Sequence, residues 1–144
     1  MTKAKENKSE KKNAIPVLDE RQEKMMQVNM LEQEAKQFEQ QLMYIEQQIM
    51  ELRLLSLHLD EIKKAKPKSE ILASIGRNIF IKTELASKEL YVDIGAKTVV
   101  KKEIDETKKI IENDISQLEK ARDNIKREFE RIVGEMTRLM QKID

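Results

Sequence analysis

A chain of 144 residues is long enough for one ordinary domain, yet 38% of it is charged and only 3% is aromatic. Ala, Glu, Lys, Leu and Arg make close to half of the sequence, a composition of coiled coils and long helices that excludes a thick aromatic core. With 28 basic and 27 acidic residues the charge balance argues against a dedicated nucleic-acid binder, and with no cysteine disulfides and thiol chemistry are excluded and a reducing compartment is expected.

The opening MTKAKENKSEKKN has no apolar stretch. Residues 1–15 are therefore expected to form a solvated, disordered polar tail rather than a signal peptide. No apolar run later in the chain approaches the roughly 18 residues of a membrane span.

Residues 16–66 predict a coiled-coil helix. Pro16 suits an opening turn. Val28, Leu31, Ala35, Phe38, Leu42, Ile45, Ile49 and Leu52 then alternate steps of three and four, a heptad seam. Beyond Leu52 the stripe is expected to move to Leu55, Leu59 and Ile62, a stammer that changes the local winding. Lys63, Lys64 and Lys66 favour a helix C-terminus, and Pro67 ends the run.

Residues 67–102 change period. EILASI (Glu70–Ile75), NIFIKTEL (Asn78–Leu85), ELYVDI (Glu89–Ile94) and TVVKK (Thr98–Lys102) read as four strands, with turns at GRN, ASK and GAK. Gly76 and Gly95 can supply the positive φ such turns need. Two successive hairpins are marginal in water and leave open edges. Hairpins from several chains are therefore expected to build a shared sheet or barrel. Ile79, Phe80, Ile81, Leu85, Leu90, Tyr91, Val92, Ile94, Val99 and Val100 are the assembly residues.

Residues 103–144 predict a second coiled-coil helix, with Asp105 and Glu106 in its first turn. Ile104, Ile111, Leu118, Ile125, Ile132 and Leu139 recur every seven residues, accompanied by Lys108, Ile115, Arg122, Phe129, Met136 and Ile143. Arg122 is the polar intruder in this seam. It either fixes register or snorkels its head to water. Each helix has roughly 40 to 50 residues and is about 60–75 Å long. An antiparallel hairpin of helices satisfies both seams. Folding about the centre of the insert sets Met25 near Lys142 and Val28 near Leu139, so the two helix ends share one tip. The expected fold class is mainly α with a small β insert: a long antiparallel two-helix coiled coil, joined by two hairpins that build an oligomeric barrel platform.

The insert ASIGRNIFIKTELASKELYVDIGAKTVVKK (Ala73–Lys102) resembles that of the prefoldin family, in particular its alpha class with two hairpins. Ile75-Gly76, Phe80-Ile81-Lys82, Val92, Ile94-Gly95-Ala96 and Val99-Val100-Lys101 carry the likeness. Ser74 stands where proline is common, and Asn78 and Lys97 stand where the family has glycine. These departures bear on turn geometry. The resemblance implies a cytoplasmic, ATP-independent co-chaperone subunit, in a hexamer of two alpha and four beta-class subunits. Such a complex holds non-native proteins near the coiled-coil tips and passes them to a group II chaperonin. It implies no enzyme activity, no cofactor, no nucleic acid and no membrane.

Eight methionines is many for this length. Met25, Met26 and Met30 fall in the early turns of the first helix, and Met136 and Met140 in the last turns of the second. Methionine is flexible and polarizable, which suits a surface that accepts many partners. By resemblance, the client-contact residues are Met25, Met26, Met30, Val133, Met136, Leu139, Met140 and Ile143. The plainer reading is that fraying helix ends tolerate methionine and bury some of it. Met43, Met50, Leu54 and Leu57 also lie off the seam and face the body or a neighbouring subunit.

Nothing in the sequence forms a catalytic or metal site. His58 is the only histidine, and no phosphate loop is present. Glu20–Lys24, Glu32–Lys36 and Asp105–Lys109 read as solvated i,i+4 pairs. Two other classes stay open. One is a structural coiled-coil or prefoldin-like filament subunit without client delivery. The other is nucleic-acid binding through the tail lysines Lys3, Lys5, Lys8, Lys11 and Lys12, whose charge Glu6 and Glu10 dilute.

Overall fold

The computed structural model describes residues 19–143. The expected tail, the start at Pro16 and the final Asp144 lie outside them. The order is α1 (Glu20–Lys64), β1 (Glu70–Gly76), β2 (Ile79–Glu84), β3 (Leu90–Gly95), β4 (Thr98–Lys102) and α2 (Ile104–Ile143). By packing, the chain divides into two units. One joins the segment up to Gln41 with that from Ile125 onward, and the other is Leu42–Asn124.

Asp19 caps α1. Its Oδ1 accepts the Gln22 N–H at 2.8 Å, and its carbonyl accepts the Glu23 N–H at 3.1 Å. The side chain thus satisfies one of the donors that a helix start leaves unpaired, and the carbonyl accepts the first bond of the helix. At the other end of α1, the Lys88 ammonium donates to the Lys63 carbonyl at 2.6 Å, where a cation also meets the negative end of the helix dipole. Glu103 opens α2. Its carbonyl accepts both the Thr107 N–H at 3.0 Å and the Thr107 hydroxyl at 2.9 Å.

In the unit of helix ends, the seam residues Val28, Leu31, Phe38, Ile125, Phe129 and Leu139 are half-buried, while Ala35 and Ile132 are buried. The fold-back about the insert sets Ala35 opposite Ile132, which is 0% exposed. In the Leu42–Asn124 unit, Leu59, Ile104 and Ile111 form a buried cluster, flanked by Leu52, Ile62, Leu90 and Ile115. This cluster ties α1, α2 and β3 together. Ion pairs confirm the antiparallel register beside it: Arg53–Glu119 at 2.8 Å, Lys63–Asp105 at 2.6 Å, and Asp60–Lys108. Fold-back predicts Thr107 opposite Asp60, and the pairing partner is the next residue.

Two details of the helices differ from expectation. The stammer does not fall directly after Leu52 but one step later, between Leu59 and Ile62. Leu55 is exposed, whereas Ser56 is half-buried and Leu59 is 4% exposed. The heptad runs on through Ser56, small enough to occupy a seam position, and the stripe then shifts, with Ile62 half-buried on the core and Lys63 exposed. Asp105 pairs with Lys63 across the helices rather than with Lys109 along its own helix. The carboxylate lies at the base of the hairpin of helices, where the C-terminal lysines of α1 approach it.

The insert forms two separate two-stranded antiparallel sheets, β1–β2 and β3–β4. A closed barrel requires several chains and is not formed within one. The two hairpins repeat one device. In the first, the pairing runs Ser74↔Phe80 and then Gly76↔Ile79, which leaves Ile75 as a bulge. In the second it runs Asp93↔Val99 and then Gly95↔Thr98, which leaves Ile94 as a bulge. Gly76 and Gly95 follow the bulges at φ 118° and 93°. Their N–H groups donate to Ser74 Oγ at 3.3 Å and Asp93 Oδ1 at 2.8 Å. Both two-residue loops have positive φ throughout, 46° and 61° at Arg77-Asn78 and 51° and 58° at Ala96-Lys97. Such loops match the right-handed twist of the strands. The ladder of the first hairpin continues past its strands, with Lys68 N–H donating to the Leu85 carbonyl at 3.0 Å and Leu85 N–H to the Ser69 carbonyl at 2.9 Å.

Candidate functional site

Two surfaces collect the residues singled out from the sequence. The first lies wholly in the unit of helix ends. Met25, Met26, Met30, Val133 and Met140 are exposed there, Met30 most of all at 69%. Met136, Leu139 and Ile143 are half-buried and line the seam side of α2. The helical period explains the split, because seam positions face the opposite helix and the methionines one or two residues away do not.

Charges border this apolar surface. Arg131 donates to Glu128 at 3.0 Å and to Glu135 at 2.9 Å. The hydrogen bond to Glu128 and the charges of both carboxylates hold its guanidinium even more firmly protonated than usual. These exposed i,i+3 and i,i+4 pairs stiffen α2 beside Ile132 without covering the methionines. Gly134 follows, and a Cβ placed there would meet nothing within 4 Å.

The second surface is the hairpin module in the Leu42–Asn124 unit. Ile79, Phe80, Ile81, Tyr91, Ile94 and Val99 are exposed on it. Val92 and Val100 are half-buried and paired directly across β3–β4. Leu85 and Leu90 are placed differently. Leu85 is buried within its own chain, and Leu90 packs against the Leu59–Ile104–Ile111 cluster. Leu90 anchors the second hairpin to the helices. Leu72 and Ile75 are exposed on β1 although the strand pattern alone did not single them out. The signal that finds Ile75 is its equivalence to Ile94 in the repeated bulge. On the outer face of the second hairpin, Lys101 lies 5.7 Å from the centre of the Tyr91 ring and 3.8 Å from Glu89.

At the junction of helices and hairpins, the Lys63 hydrogen bond holds the Asp105 carboxyl below its ordinary range. The Asp60 hydrogen bond raises Lys108. His58 is exposed. Among the described residues, no three His, Cys, Asp or Glu side chains gather as a metal site, and no helix is long and apolar enough to cross a membrane.

Comparison with known proteins fits this arrangement. Residues 31–144 match the family model described as Prefoldin subunit. The chain is 26% identical over 123 residues to the prefoldin subunit alpha of Archaeoglobus fulgidus, covering 85% of this chain and 90% of that one. It is 22% identical over 127 residues to that of Methanococcus vannielii, covering 88% and 85%. It is 28% identical over 88 residues to that of Methanosphaera stadtmanae, covering 61% and 63%. In fold it is similar to a chain of the filamentous PFD of Methanocaldococcus jannaschii solved by cryo-electron microscopy. That likeness has a TM-score of 0.70 at 16% identity and covers 81% of this chain and 97% of that chain.

Proposed function

Because the chain belongs to the prefoldin family and to its alpha class, we propose that it is the alpha subunit of a cytoplasmic, ATP-independent holdase. The family is one of non-enzymatic chaperones whose subunits assemble with one another. In this reading, the hairpins join two alpha to four beta-class subunits. Non-native proteins are held by exposed apolar side chains at the helix ends and passed to a group II chaperonin. The observation that carries it is the set of exposed methionines on a single unit built from both helix ends.

The mechanism follows from weak, repeated contacts. Each methionine surface binds an exposed hydrophobic segment loosely. Several such surfaces on one body raise the effective concentration, so avidity accumulates without any strong single site. A held client is removed from the pool that aggregates. The test is aggregation of a chemically denatured protein in the presence of the complex with a beta-class prefoldin subunit. Suppression is expected, and polar substitution of Met25, Met26, Met136 and Met140 together should abolish most of it. Unchanged suppression by that variant would overturn the assignment of the site.

The likeness in fold to a chain of a filamentous PFD supports a second reading, a filament subunit without client delivery. Native mass measurement separates the two. A closed complex formed only with a beta-class partner supports the holdase, whereas polymers that grow from this chain alone support the filament.

A further inference from the structure

The oxidisable side chains of this chain are sorted by place. It has eight methionines, no cysteine and no tryptophan, so the thioether is the softest nucleophile that an oxidant meets. None of the eight lies in residues 67–102, the hairpin insert. None is among the buried residues of the described chain, which are Ala, Ile and Leu only. Buried cores and apolar interfaces are where a methionine sulfoxide does most harm to a fold.

Exposure grades the sulfurs. Met30, Met43 and Met50 are the most open, at 69%, 67% and 64%, and Met25, Met26 and Met140 are exposed as well. Met136 is half-buried on the seam side of α2. Met26 and Met30 stand one turn apart on one face of α1. Met25, Met26, Met30 and Met140 belong to the unit of helix ends, and Met43 and Met50 to the Leu42–Asn124 unit. With hydrogen peroxide, or another two-electron oxidant of that class, the sulfur lone pair attacks one peroxide oxygen. The O–O bond breaks, an S–O bond forms, sulfur is oxidised by two electrons and the other oxygen leaves as water. A polar sulfoxide that accepts hydrogen bonds then stands where an adaptable apolar side chain stood. Thiol-dependent reductases reverse the step, as two thiols become one disulfide and the oxygen leaves as water.

We propose that Met25, Met26, Met30 and Met140 are sites of reversible oxidation to the sulfoxide, which turns the apolar surface of the helix ends polar and releases its client while the fold and the hairpin assembly persist. The consequence for a client rests on the holdase reading above, and the modification itself does not. Separation along the chain carries the proposal. These sulfurs lie outside the buried seam and outside the insert, so oxidation alters what the helix ends touch and not what holds the chain together. Met136 is the contrast within the same unit, because a sulfoxide there intrudes on the seam one turn from the enclosed Ile132.

The full-length chain, assembled with a beta-class prefoldin subunit, is treated with graded hydrogen peroxide, and catalase removes the oxidant before any client is added. Peptide mapping by mass spectrometry should find Met30, Met43 and Met50 oxidised about threefold faster than Met136, or more. At the dose that oxidises the exposed sulfurs, fluorescence of the apolar dye anilinonaphthalene sulfonate should fall and aggregation suppression should drop about fivefold. Native mass and helical circular dichroism should stay as they were. Methionine sulfoxide reductases for both epimers, with dithiothreitol, should restore dye binding and suppression. To set apart the sulfurs of the beta-class subunit, a variant combining Met25→Leu, Met26→Leu, Met30→Leu and Met140→Leu is compared with itself. Whatever its starting level, peroxide should change its suppression by less than about 1.5-fold, since leucine has no sulfur to oxidise.

Equal oxidation rates at Met30 and Met136, dissociation or lost helicity on oxidation, or no recovery with the reductases overturns the proposal. A leucine variant that loses as much as the parent overturns it too. Suppression that is present and unchanged once the exposed methionines are oxidised also overturns it, and leaves the holdase reading in place. If suppression is absent before peroxide, the holdase reading fails and dye binding decides the modification. A reversible loss of dye fluorescence then supports it, and unchanged fluorescence overturns it.

Discussion

Lys97 holds a left-handed backbone at φ 58°, at the second loop position of the second hairpin. A side chain with a Cβ is disfavoured there by about 1–2 kcal/mol, and only Gly, with Asn and Asp to a lesser degree, visits that region routinely. Asn78 holds the equivalent place in the first hairpin at φ 61°, with a residue better suited to it. Lys97→Gly should therefore stabilise the chain by about 1 kcal/mol in urea unfolding, while Asn78→Gly should gain less. An equal or larger gain at Asn78 would contradict this account of the loops.

The ionised residues at the helix–hairpin junction predict a pH dependence with opposite signs. The Asp105 pKa is lowered in the folded chain, chiefly by its hydrogen bond with Lys63. Its contribution is thus present above the unfolded carboxylate pKa and lost as pH falls through the lower folded value. The Lys108 pKa is raised, chiefly by the hydrogen bond from Lys108 to Asp60. That contribution is present below the unfolded lysine pKa and lost as pH rises through the raised value. Unfolding of Asp105→Asn compared with the parent should converge in acid and diverge toward neutral pH. The difference should be small and shrink in salt, since both Lys63 and Asp105 are exposed.

At the scale of the element, α2 depends on one stripe. Ile132 is fully enclosed, whereas Ile110 is an exposed residue of the same type in the same helix. Ile132→Ala should cost about 2–4 kcal/mol and Ile110→Ala less than about 1, read from urea midpoints. Similar losses at both would mean that the seam does not carry the packing. Gly134 weakens the same helix without any steric need for glycine. Gly134→Ala should gain about 0.5–1 kcal/mol. If the loosened turn serves client contact, that gain should come with weaker aggregation suppression. The hairpins, in turn, show why the insert needs its two glycines. Each follows a bulge that leaves one N–H outside the ladder, and each N–H is taken up by the side chain two residues earlier.

At the scale of the whole molecule, both sheets expose apolar faces and unpaired edges. Such surfaces are not stable alone in water, and members of the prefoldin family assemble with one another. If apolar burial drives that assembly, it should persist at high salt. Phe80→Glu combined with Tyr91→Glu should then leave the chain unassembled in native mass measurement, with its helical circular dichroism retained. A complex that survives this double change but dissociates in salt would point to charge instead.

Much of this protein is legible in its sequence because its interactions are periodic and local. The three-four spacing from Val28 to Leu52 and the seven-residue recurrence from Ile104 to Leu139 determined two helices and their buried sides. Alternation around Ile79–Leu85 and Leu90–Ile94 determined the hairpins nearly to the residue. Tertiary structure decided what depends on distant partners. Asp105 turned from Lys109 to Lys63 because a charge pairs with whichever opposite charge packing brings near. Leu55 stayed outside the seam because the heptad carried Ser56 inward before the stripe moved to Leu59 and Ile62. Leu90 packs on the helix base and Leu85 is buried within the chain, which depends on partners distant in sequence. Arg122, a polar intruder by pattern alone, became a half-buried cation paired with Asp123 beside Met50, Leu54 and Leu57 only in the folded chain.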